Sequence, residues 1–454
     1  MEAGVRRARD PRRDLPGERR QVGAQRGYGG TTLTKIGIIT QWYDPEGGSA
    51  VLPGIISRSL VALGHEVHVL TGFPNYPSGQ LHPDYRLRPY QFEEMNGVSV
   101  HRVPLMPSHD RSAVKRTTNY LSFAASAAAR LDLLRKVDVW LVYSSPATVA
   151  LPAMVAHWLH RRPYVILMED LWPDTLADSD YVGPGRRTDL IVRTLHRFCD
   201  ATYRRASHVA VIAPGMADIL AQRGVPQDKL SVIYNWVDER IFRPRPRDPQ
   251  LAAALGLQGF VVMYAGSMGN LQGLDVAVAA LEYLDDIPDL QLVFAGRGIE
   301  EPRLRQSAAR YAPGRVLFLG QQPVERMIEL MPAGDVQLIS LRDRPLHRNT
   351  MPSKVQTALA CGRPIVAALA GDAARLVDES GAGFVAPPGD APALADAIRR
   401  MYELGADKRE ELGRNGRQFY LDRLSERIGS VALANLLENA ARDAPTGRNR
   451  PAHR

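Results

Sequence analysis

The stretch that decides the fold begins with the apolar run Lys35-Ile-Gly-Ile-Ile-Thr40. Short runs of this kind, rich in β-branched residues, are typical of buried strands. The loop Tyr43-Asp-Pro-Glu-Gly-Gly48 follows, and apolar residues then recur at helical spacing up to Gly64, which stands where a helix-ending glycine belongs. A second run, Glu66-Val-His-Val-Leu-Thr71, completes a strand–helix–strand unit, and its crossover makes the two strands parallel.

Alternating strands and helices continue outward from this unit. The apolar runs Val98–Val103, Tyr164–Met168 and Val209–Ile212 predict further strands, and an alanine-rich stretch over residues 114–135 predicts one long helix. Together they predict a doubly wound α/β domain over residues 33–240.

The pattern stops once and then restarts. Three prolines and no clear periodicity between residues 237 and 257 are typical of a linker. Strand and helix patterns resume at Phe260 and predict a second doubly wound domain over residues 258–410. A last helix is expected over residues 420–441, and its apolar residues share one face, so it should pack on one of the domains.

Composition limits the class of protein further. The chain has 454 residues, of which 45% are hydrophobic and 23% charged, as expected for a globular protein of two or more domains. No run of about 18 apolar residues predicts a membrane-spanning helix, and no apolar segment follows the first arginines as a secretory signal requires. Two cysteines are too few for a disulfide framework, so we expect a cytoplasmic protein.

The net charge of +8 lies mostly at the two ends of the chain. Residues 1–30 contribute +4 and residues 441–454 contribute +3, so the stretch between them is close to neutral. A near-neutral body argues against a nucleic-acid-binding protein. Both ends are rich in Arg, Gly and Pro and poor in apolar residues, which predicts disordered tails over residues 1–32 and 442–454.

Two glycine-containing loops stand between a strand and a helix, where backbone N–H groups can bind an anion. The first contains Gly47 and Gly48, and the second is Tyr264-Ala-Gly-Ser-Met-Gly-Asn-Leu-Gln-Gly273. The glycine spacing of the second loop differs from the dinucleotide fingerprint, which disfavours an NAD enzyme. Either loop could instead be an ordinary tight turn.

A third candidate is the segment Pro352-Ser-Lys354, which precedes a helical pattern. Ser353 is the expected N-cap of this helix, so Lys354 should lie in its first turn. A cation at the positive end of a helix is locally unfavourable, which indicates an anion bound nearby. The alternative is a solvated lysine.

Several motifs resemble those of one family when they are taken in order and with their spacing. They are Gly64-His-Glu-Val-His-Val-Leu-Thr71, Asp170-Leu-Trp-Pro173, Val232-Ile-Tyr-Asn-Trp-Val-Asp238, Tyr264-Ala-Gly266, Pro352-Ser-Lys354 and Ala360-Cys-Gly-Arg-Pro364. The chain resembles a GT-B glycosyltransferase of the glycogen-synthase-like retaining group, and within it the bacterial capsule and O-antigen transferases of the N-acetyl-fucosamine type. The likeness covers most of residues 35–400. It implies two Rossmann-like domains that face a cleft, with the acceptor on the N-terminal domain, the nucleotide sugar on the C-terminal domain and a C-terminal helix that crosses back.

The resemblance also implies a set of donor-binding residues, namely Gly48, Gly266, Ser267, Gln272, Arg297, Asn349, Ser353, Lys354 and Thr357. Two of the family's usual patterns are missing from this set. Ser267 and Gln272 stand where many members have Arg and Lys, and Asn349 and Thr357 stand where many have glutamates. The donor diphosphate should therefore depend on backbone N–H groups, the Gln272 amide and a cation from elsewhere.

Lys354 is the expected cation, with Arg297 and Arg348 behind it, and neither a metal nor another cofactor is expected. Glu169 and Asp170 are the candidate catalytic residues, and Glu169 stands where the family often has histidine. Either carboxyl could act as a general base or orient the acceptor, although Asp170 could also be a simple helix cap. In front-face retention the leaving phosphate accepts the acceptor's proton, so no protein nucleophile is required.

The implied reaction moves an amino- or deoxy-hexose from a UDP-sugar to a polyprenyl-diphosphate-linked or saccharide acceptor in cell-surface polysaccharide biosynthesis. Residues 111–136 are basic and contain Tyr120, Leu121 and Phe123, which predicts peripheral contact with an anionic membrane at the inner face of the cell membrane. The alternative is an ordinary amphipathic helix. Two other functions share the fold: a UDP-N-acetylglucosamine 2-epimerase and a non-catalytic partner subunit.

Overall fold

The structure, a computed structural model, describes residues 33–108, 112–174 and 186–444. The predicted tail over residues 1–32 lies outside the described residues. At the other end, the last helix reaches Asp443 and so includes the first two residues of the second predicted tail, whose remainder from residue 445 is also outside the described range.

The first sheet contains the strands β1 Lys35–Ile39, β2 Glu66–Gly72, β3 Gln91–Met95, β4 Val98–Val103, β5 Val139–Ser144, β6 Tyr164–Met168, β7 His208–Val211 and β8 Leu230–Val232. Their order is β3-β4-β2-β1-β5-β6-β7-β8, and all neighbouring pairs are parallel except β3 with β4. The helices around it are α1 Leu52–Ala62, α2 Ala113–Ala128, α3 Leu131–Leu134, α4 Ala150–His160, α5 Arg186–Arg205 and α6 Pro214–Gln222.

The second sheet contains the strands β9 Phe260–Ala265, β10 Leu290–Ala295, β11 Val316–Gly320, β12 Val336–Ser340, β13 Ile365–Ala368 and β14 Gly383–Ala386. Their order is β11-β10-β9-β12-β13-β14, and every pair is parallel. The helices of this part are α7 Pro249–Ala254, α8 Asp275–Ala280, α9 Glu301–Tyr311, α10 Met327–Ala333, α11 Ser353–Ala360, α12 Asp372–Ser380 and α13 Ala391–Glu403. The prediction of two doubly wound domains is confirmed.

The strand–helix–strand unit that opens the fold is also confirmed. β1 pairs with β2 on one side and β5 on the other, so it is a central strand, and four of its five residues are buried. Gly37 in its middle lies beneath the ring of Trp140, where a Cβ would collide with the indole. Gly64 follows α1 with a φ of +95°, a conformation that glycine adopts without strain.

Two sequence predictions were wrong in detail, and one strand was missed. The helix expected over residues 114–135 is two helices, because Arg130 leaves the helical conformation and its guanidinium lies over the ring of Tyr90. The supposed linker contains α7, which Asp248 caps by accepting hydrogen bonds from Gln250 N and Leu251 N. Strand β3 was missed, since it is a half-exposed edge strand with two glutamates and no apolar run.

The chain ends in two helices, α14 Gly405–Arg423 and α15 Glu426–Asp443. α14 packs on α11 and α12 of the second domain, whereas α15 lies against α1 and against β5, β6 and β7 of the first. Ser59 of α1 donates a hydrogen bond to Glu426 over 2.8 Å, and Gly429 of α15 lies against the Trp236 ring. The C-terminal helix therefore crosses back to the N-terminal domain, as predicted.

This close approach predicts that Gly429→Ala destabilises the protein. The new Cβ would overlap the Trp236 ring, and overpacking of this kind costs about 1–3 kcal/mol, more than the gain from a better helix former. Gly47→Ala is the matched control, because Gly47 has a φ of −101° and open space where its Cβ would be. Urea unfolding of both variants measures the difference, and equal midpoints would contradict the packing described here.

Candidate active site

Two glycine loops meet at the carboxyl edge of the second sheet. Gly266 N donates to Ala295 O over 2.9 Å, and Met268 N donates to Arg297 O over 2.9 Å, so the loop after β9 is bonded to the loop after β10. The backbones approach so closely that a Cβ on Gly296 would overlap the Gly266 carbonyl group. Glycine at these positions thus permits a compact surface made of backbone groups.

Lys354 lies directly against this surface. It is the second residue of α11, its Nζ lies 5.3 Å from the centre of the Tyr264 ring, and a Cβ on Gly266 would be 2.5 Å from Lys354 Cε. Burial lowers the pKa of the Lys354 ammonium, and among the described residues no carboxylate raises it again. The structure thus brings together Gly266 and Lys354, two residues 88 positions apart that the sequence predicted to share a site.

The other predicted donor-binding residues differ in their hydrogen bonds and in their exposure. Gln272 Oε1 accepts a hydrogen bond from Gly269 N over 2.9 Å, so its amide closes its own loop. Ser267 is exposed, and its carbonyl accepts from the Tyr264 hydroxyl over 2.6 Å. Arg297 is exposed at the carboxyl edge, next to Gly320 at the end of β11. In the first domain, Gly48 begins the short helical turn that leads into α1.

The prediction that Ser353 caps α11 was wrong. Ser353 is the first helical residue and Pro352 occupies the cap position with an extended backbone, so Lys354 is still in the first turn. Thr357 donates its hydroxyl to Ser353 O over 2.8 Å, one turn further along the helix. Arg348, named as a reserve cation, forms an ion pair of 2.6 Å with Asp343, so its charge is already compensated.

Asn349 contacts the first domain. Its Nδ2 donates to Pro345 O over 3.0 Å, and its Oδ1 lies where a Cβ on Gly215 would be. The buried carboxylate of Asp372 accepts a hydrogen bond of 2.6 Å from Gly215 N, in the first turn of α6. A carboxylate at the positive end of a helix is a favourable arrangement, and this one joins the two domains. The carboxyl-edge loops of the second domain therefore face the first.

Glu169 and Asp170 follow β6 at the carboxyl edge of the first sheet. Glu169 Oε2 accepts from Asn235 Nδ2 over 2.6 Å, whereas its Oε1 is buried and has no hydrogen-bond partner within residues 33–108, 112–174 and 186–444. Burial raises the pKa of Glu169 to about 8, against the opposing effect of Asn235. Asp170 accepts from the Ser145 hydroxyl over 2.9 Å, and burial raises the pKa of this carboxyl too. Raised carboxyl pKa values in a cleft are typical of functional sites.

One acidic residue of this edge was not predicted. Glu46 is buried within the first glycine loop and accepts hydrogen bonds from the backbone N–H groups of Tyr43, Asn75 and Tyr76 at 2.9, 2.6 and 2.7 Å. The carboxylate thereby fixes the loop after β1 to the loop after β2. A lone acidic residue in a loop gives no sequence signal for such contacts, because two of the three groups that it binds lie about 30 residues further along the chain.

Two protein families match the chain, one over each domain. Residues 47–236 match the family described as glycosyl transferase 4-like domain, and residues 259–404 match the family described as glycosyl transferases group 1. The fold is that of the GT-B enzymes. The protein is a glycosyltransferase.

Individual relatives are similar over much of their length. The D-inositol 3-phosphate glycosyltransferase of Acidothermus cellulolyticus is 28% identical over 426 residues, 88% of each chain. WcaI of Escherichia coli strain K12, named as a colanic acid biosynthesis glycosyl transferase, is 26% identical over 70% of this chain and 79% of its own. The crystal structure of Anabaena HepE in complex with UDP superposes with a TM-score of 0.67 at 18% identity, over 90% of this chain and 100% of HepE.

The environment of Glu169 predicts a pH effect on stability. Between the ordinary carboxyl pKa of 4.5 and the folded value of about 8, the folded protein retains a proton that the unfolded chain has released, so stability falls as the pH rises. Glu169→Gln removes this titration. Its stability relative to the wild type should therefore increase by about 3–4 kcal/mol from pH 5 to pH 9.

Urea unfolding at both pH values measures the difference. The control is Glu282→Gln, on an exposed side chain of the second domain, which should leave the wild-type pH dependence unchanged. A Glu169→Gln profile parallel to the wild type would show that the carboxyl is not held protonated.

Proposed function

We propose that the protein transfers an amino- or deoxy-hexose from a UDP-sugar to a polyprenyl-diphosphate-linked or saccharide acceptor, with retention of configuration, in the synthesis of a cell-surface polysaccharide. The observation that carries the proposal is the desolvated ammonium of Lys354 beside the glycine loop. The complexes of HepE with UDP and with UDP-glucose support the donor class, and the name of WcaI supports the pathway class.

The donor half of the reaction needs positive charge at one place. When the bond between the sugar C1 and the diphosphate oxygen breaks, negative charge moves onto the diphosphate. Lys354 can stabilise that charge without rearrangement, and contacts of this kind are strong where water is excluded. The N–H groups of Gly266, Met268 and Gly269 already donate within the second domain, so the lysine is the main source of this stabilisation. The proposal therefore includes no metal ion and no other cofactor.

The acceptor half involves Glu169 and Asp170 in the first domain. In a front-face reaction the leaving diphosphate accepts the proton of the attacking hydroxyl, so the protein has only to orient the acceptor. With its pKa near 8, Glu169 is protonated at neutral pH and can donate a hydrogen bond to an acceptor oxygen. Asp170, held by Ser145, can accept one.

Replacement of Lys354 should weaken the binding of UDP. A charge-assisted hydrogen bond contributes roughly 1.5–3 kcal/mol, so Lys354→Ala should lower the affinity about ten- to a hundredfold and Lys354→Arg should recover part of it. Isothermal titration calorimetry measures the affinity directly. Arg348→Ala is the control, because the ion pair with Asp343 already satisfies this guanidinium.

One result would assign the diphosphate to a different cation. If Lys354→Ala binds UDP as the wild type does and Arg297→Ala does not, the exposed Arg297 is the cation of the donor site.

Contact with an anionic membrane, at the inner face of the cell membrane, is part of the proposal, and the structure changes the residues that support it. Phe123 is fully buried, and the half-buried Tyr120 ring packs against Trp42 and Trp172, so neither residue is part of the exposed apolar surface of α2. Instead Val114 and Leu121 of α2 are 75% and 53% exposed, and Met106 beside this helix is 59% exposed. No helix in the described residues is both long and apolar enough to cross a bilayer.

Vesicle co-sedimentation tests the contact. The wild type should bind vesicles that contain phosphatidylserine more than vesicles of phosphatidylcholine alone, because the basic residues Lys115 and Arg116 lie between Val114 and Leu121 in the sequence. The double variant Val114→Glu/Leu121→Glu should lose most of this binding. Tyr283→Glu, at a position 51% exposed in the second domain, is the control. Equal binding by wild type and double variant would exclude this surface.

A further inference from the structure

Four aromatic side chains converge at the carboxyl edge of the first sheet: Trp42, Tyr76, Tyr120 and Trp172, here called the aromatic platform. They come from the loops after β1, β2 and β6 and from helix α2, so their meeting is a property of the fold rather than of one segment. Ring centres are 5.2 Å apart for Trp42 and Tyr76 and 6.4 Å apart for Trp42 and Tyr120. All four residues are half-buried, so they present aromatic surface at this edge.

Hydrogen bonds and a ring contact hold the aromatic platform in place. The backbone N–H of Tyr76 donates to the buried Glu46 carboxylate over 2.7 Å. The Tyr120 hydroxyl accepts from Arg116 over 3.1 Å, and its ring meets the Trp172 ring edge to face with centres 6.5 Å apart. A preformed apolar surface costs little ordering free energy when a ligand binds.

We infer that this platform binds a sugar ring of the acceptor, an inference that rests on the proposed function. Aromatic faces carry partial negative charge and attract the C–H groups on one face of a pyranose ring. The hydroxyl groups around such a ring need polar partners, and the platform has them beside it. Asp170 lies two residues before Trp172, and the backbone N–H of Trp172 donates to the backbone carbonyl of Asp170 over 3.0 Å.

Three buried polar atoms near the platform lack hydrogen-bond partners among the described residues: Gln41 Oε1, Glu169 Oε1 and Trp172 Nε1. Buried polar atoms without partners are uncommon in folded proteins. Gln41 precedes Trp42, and Glu169 precedes Asp170, so all three atoms belong to the loops that build the platform. Gln41 Oε1 can accept a hydrogen bond, and Trp172 Nε1 and the protonated Glu169 can each donate one, which suits sugar hydroxyls, whereas a hydrocarbon chain offers these atoms no partner.

The test uses saturation-transfer NMR with the methyl glycosides of glucose, galactose and N-acetylglucosamine as probes. The wild type should bind at least one of them, and Trp42→Ala and Tyr76→Ala should weaken that binding about three- to tenfold. Trp42→Phe keeps an aromatic face and should retain most of the affinity, whereas Trp42→Leu keeps apolar volume alone and should not. Trp158→Ala is the matched control, because Trp158 is 79% exposed on α4, near the opposite edge of the same sheet.

Several results would overturn the inference: no glycoside binding by the wild type, unchanged binding in Trp42→Ala and Tyr76→Ala, or binding of farnesyl diphosphate but of no glycoside to the platform. Circular dichroism on the same variants checks that they are folded. UDP calorimetry distinguishes a failure of this inference from a failure of the proposed function. Platform variants should bind UDP like the wild type, whereas a wild type that does not bind UDP would count against the proposed function itself.

Discussion

The donor side of this protein depends on one constraint: the ammonium group of Lys354 is buried, and the described residues provide no carboxylate partner for it. Lys354 could have been held by an acidic residue at little cost, yet its neighbours are an aromatic ring and the backbone of a glycine. Removal of a charge from water is unfavourable unless another charge compensates it. The arrangement is therefore suited to a ligand that brings its own negative charge, and the smallness of Gly266 leaves room for the lysine to approach.

Two separate sets of interactions join the two domains. Asp372 accepts from the first turn of α6, and α15 returns to pack on the first sheet beside Trp236. Both contacts use local features to make long-range connections: a helix end that attracts a carboxylate, and a glycine that lets a helix approach an indole. As a result the carboxyl edges of both sheets, with Lys354 on one and Glu169 on the other, belong to a single connected structure.

Much of the fold could be predicted from the sequence because its signals are local. Buried parallel strands give continuous apolar runs, and Gly64 marks a helix end by its own conformational freedom. β3 gave no such signal, because its half-exposed residues alternate around two glutamates. α7 was hidden by the prolines around it, although one of these is a favourable first residue of a helix.

The site was less predictable, because most of its contacts have no local signal in the sequence. Lys354 and Gly266 could be linked through family resemblance, but Glu46 and the aromatic platform depend on contacts between segments far apart in the chain. Ser353 was expected to cap its helix because serine often does, whereas the extended backbone at Pro352 placed it one position further in.

If Lys354 binds an anionic ligand, the pKa of its side chain is the most direct measurement of that role. The chain has only six lysines, so NMR of the reductively ¹³C-methylated protein, assigned with Lys354→Arg, can follow its titration. The account predicts a pKa below the ordinary 10.5 in the free protein, because burial disfavours the charged form, and a rise when UDP binds. An ordinary pKa that UDP leaves unchanged would contradict it.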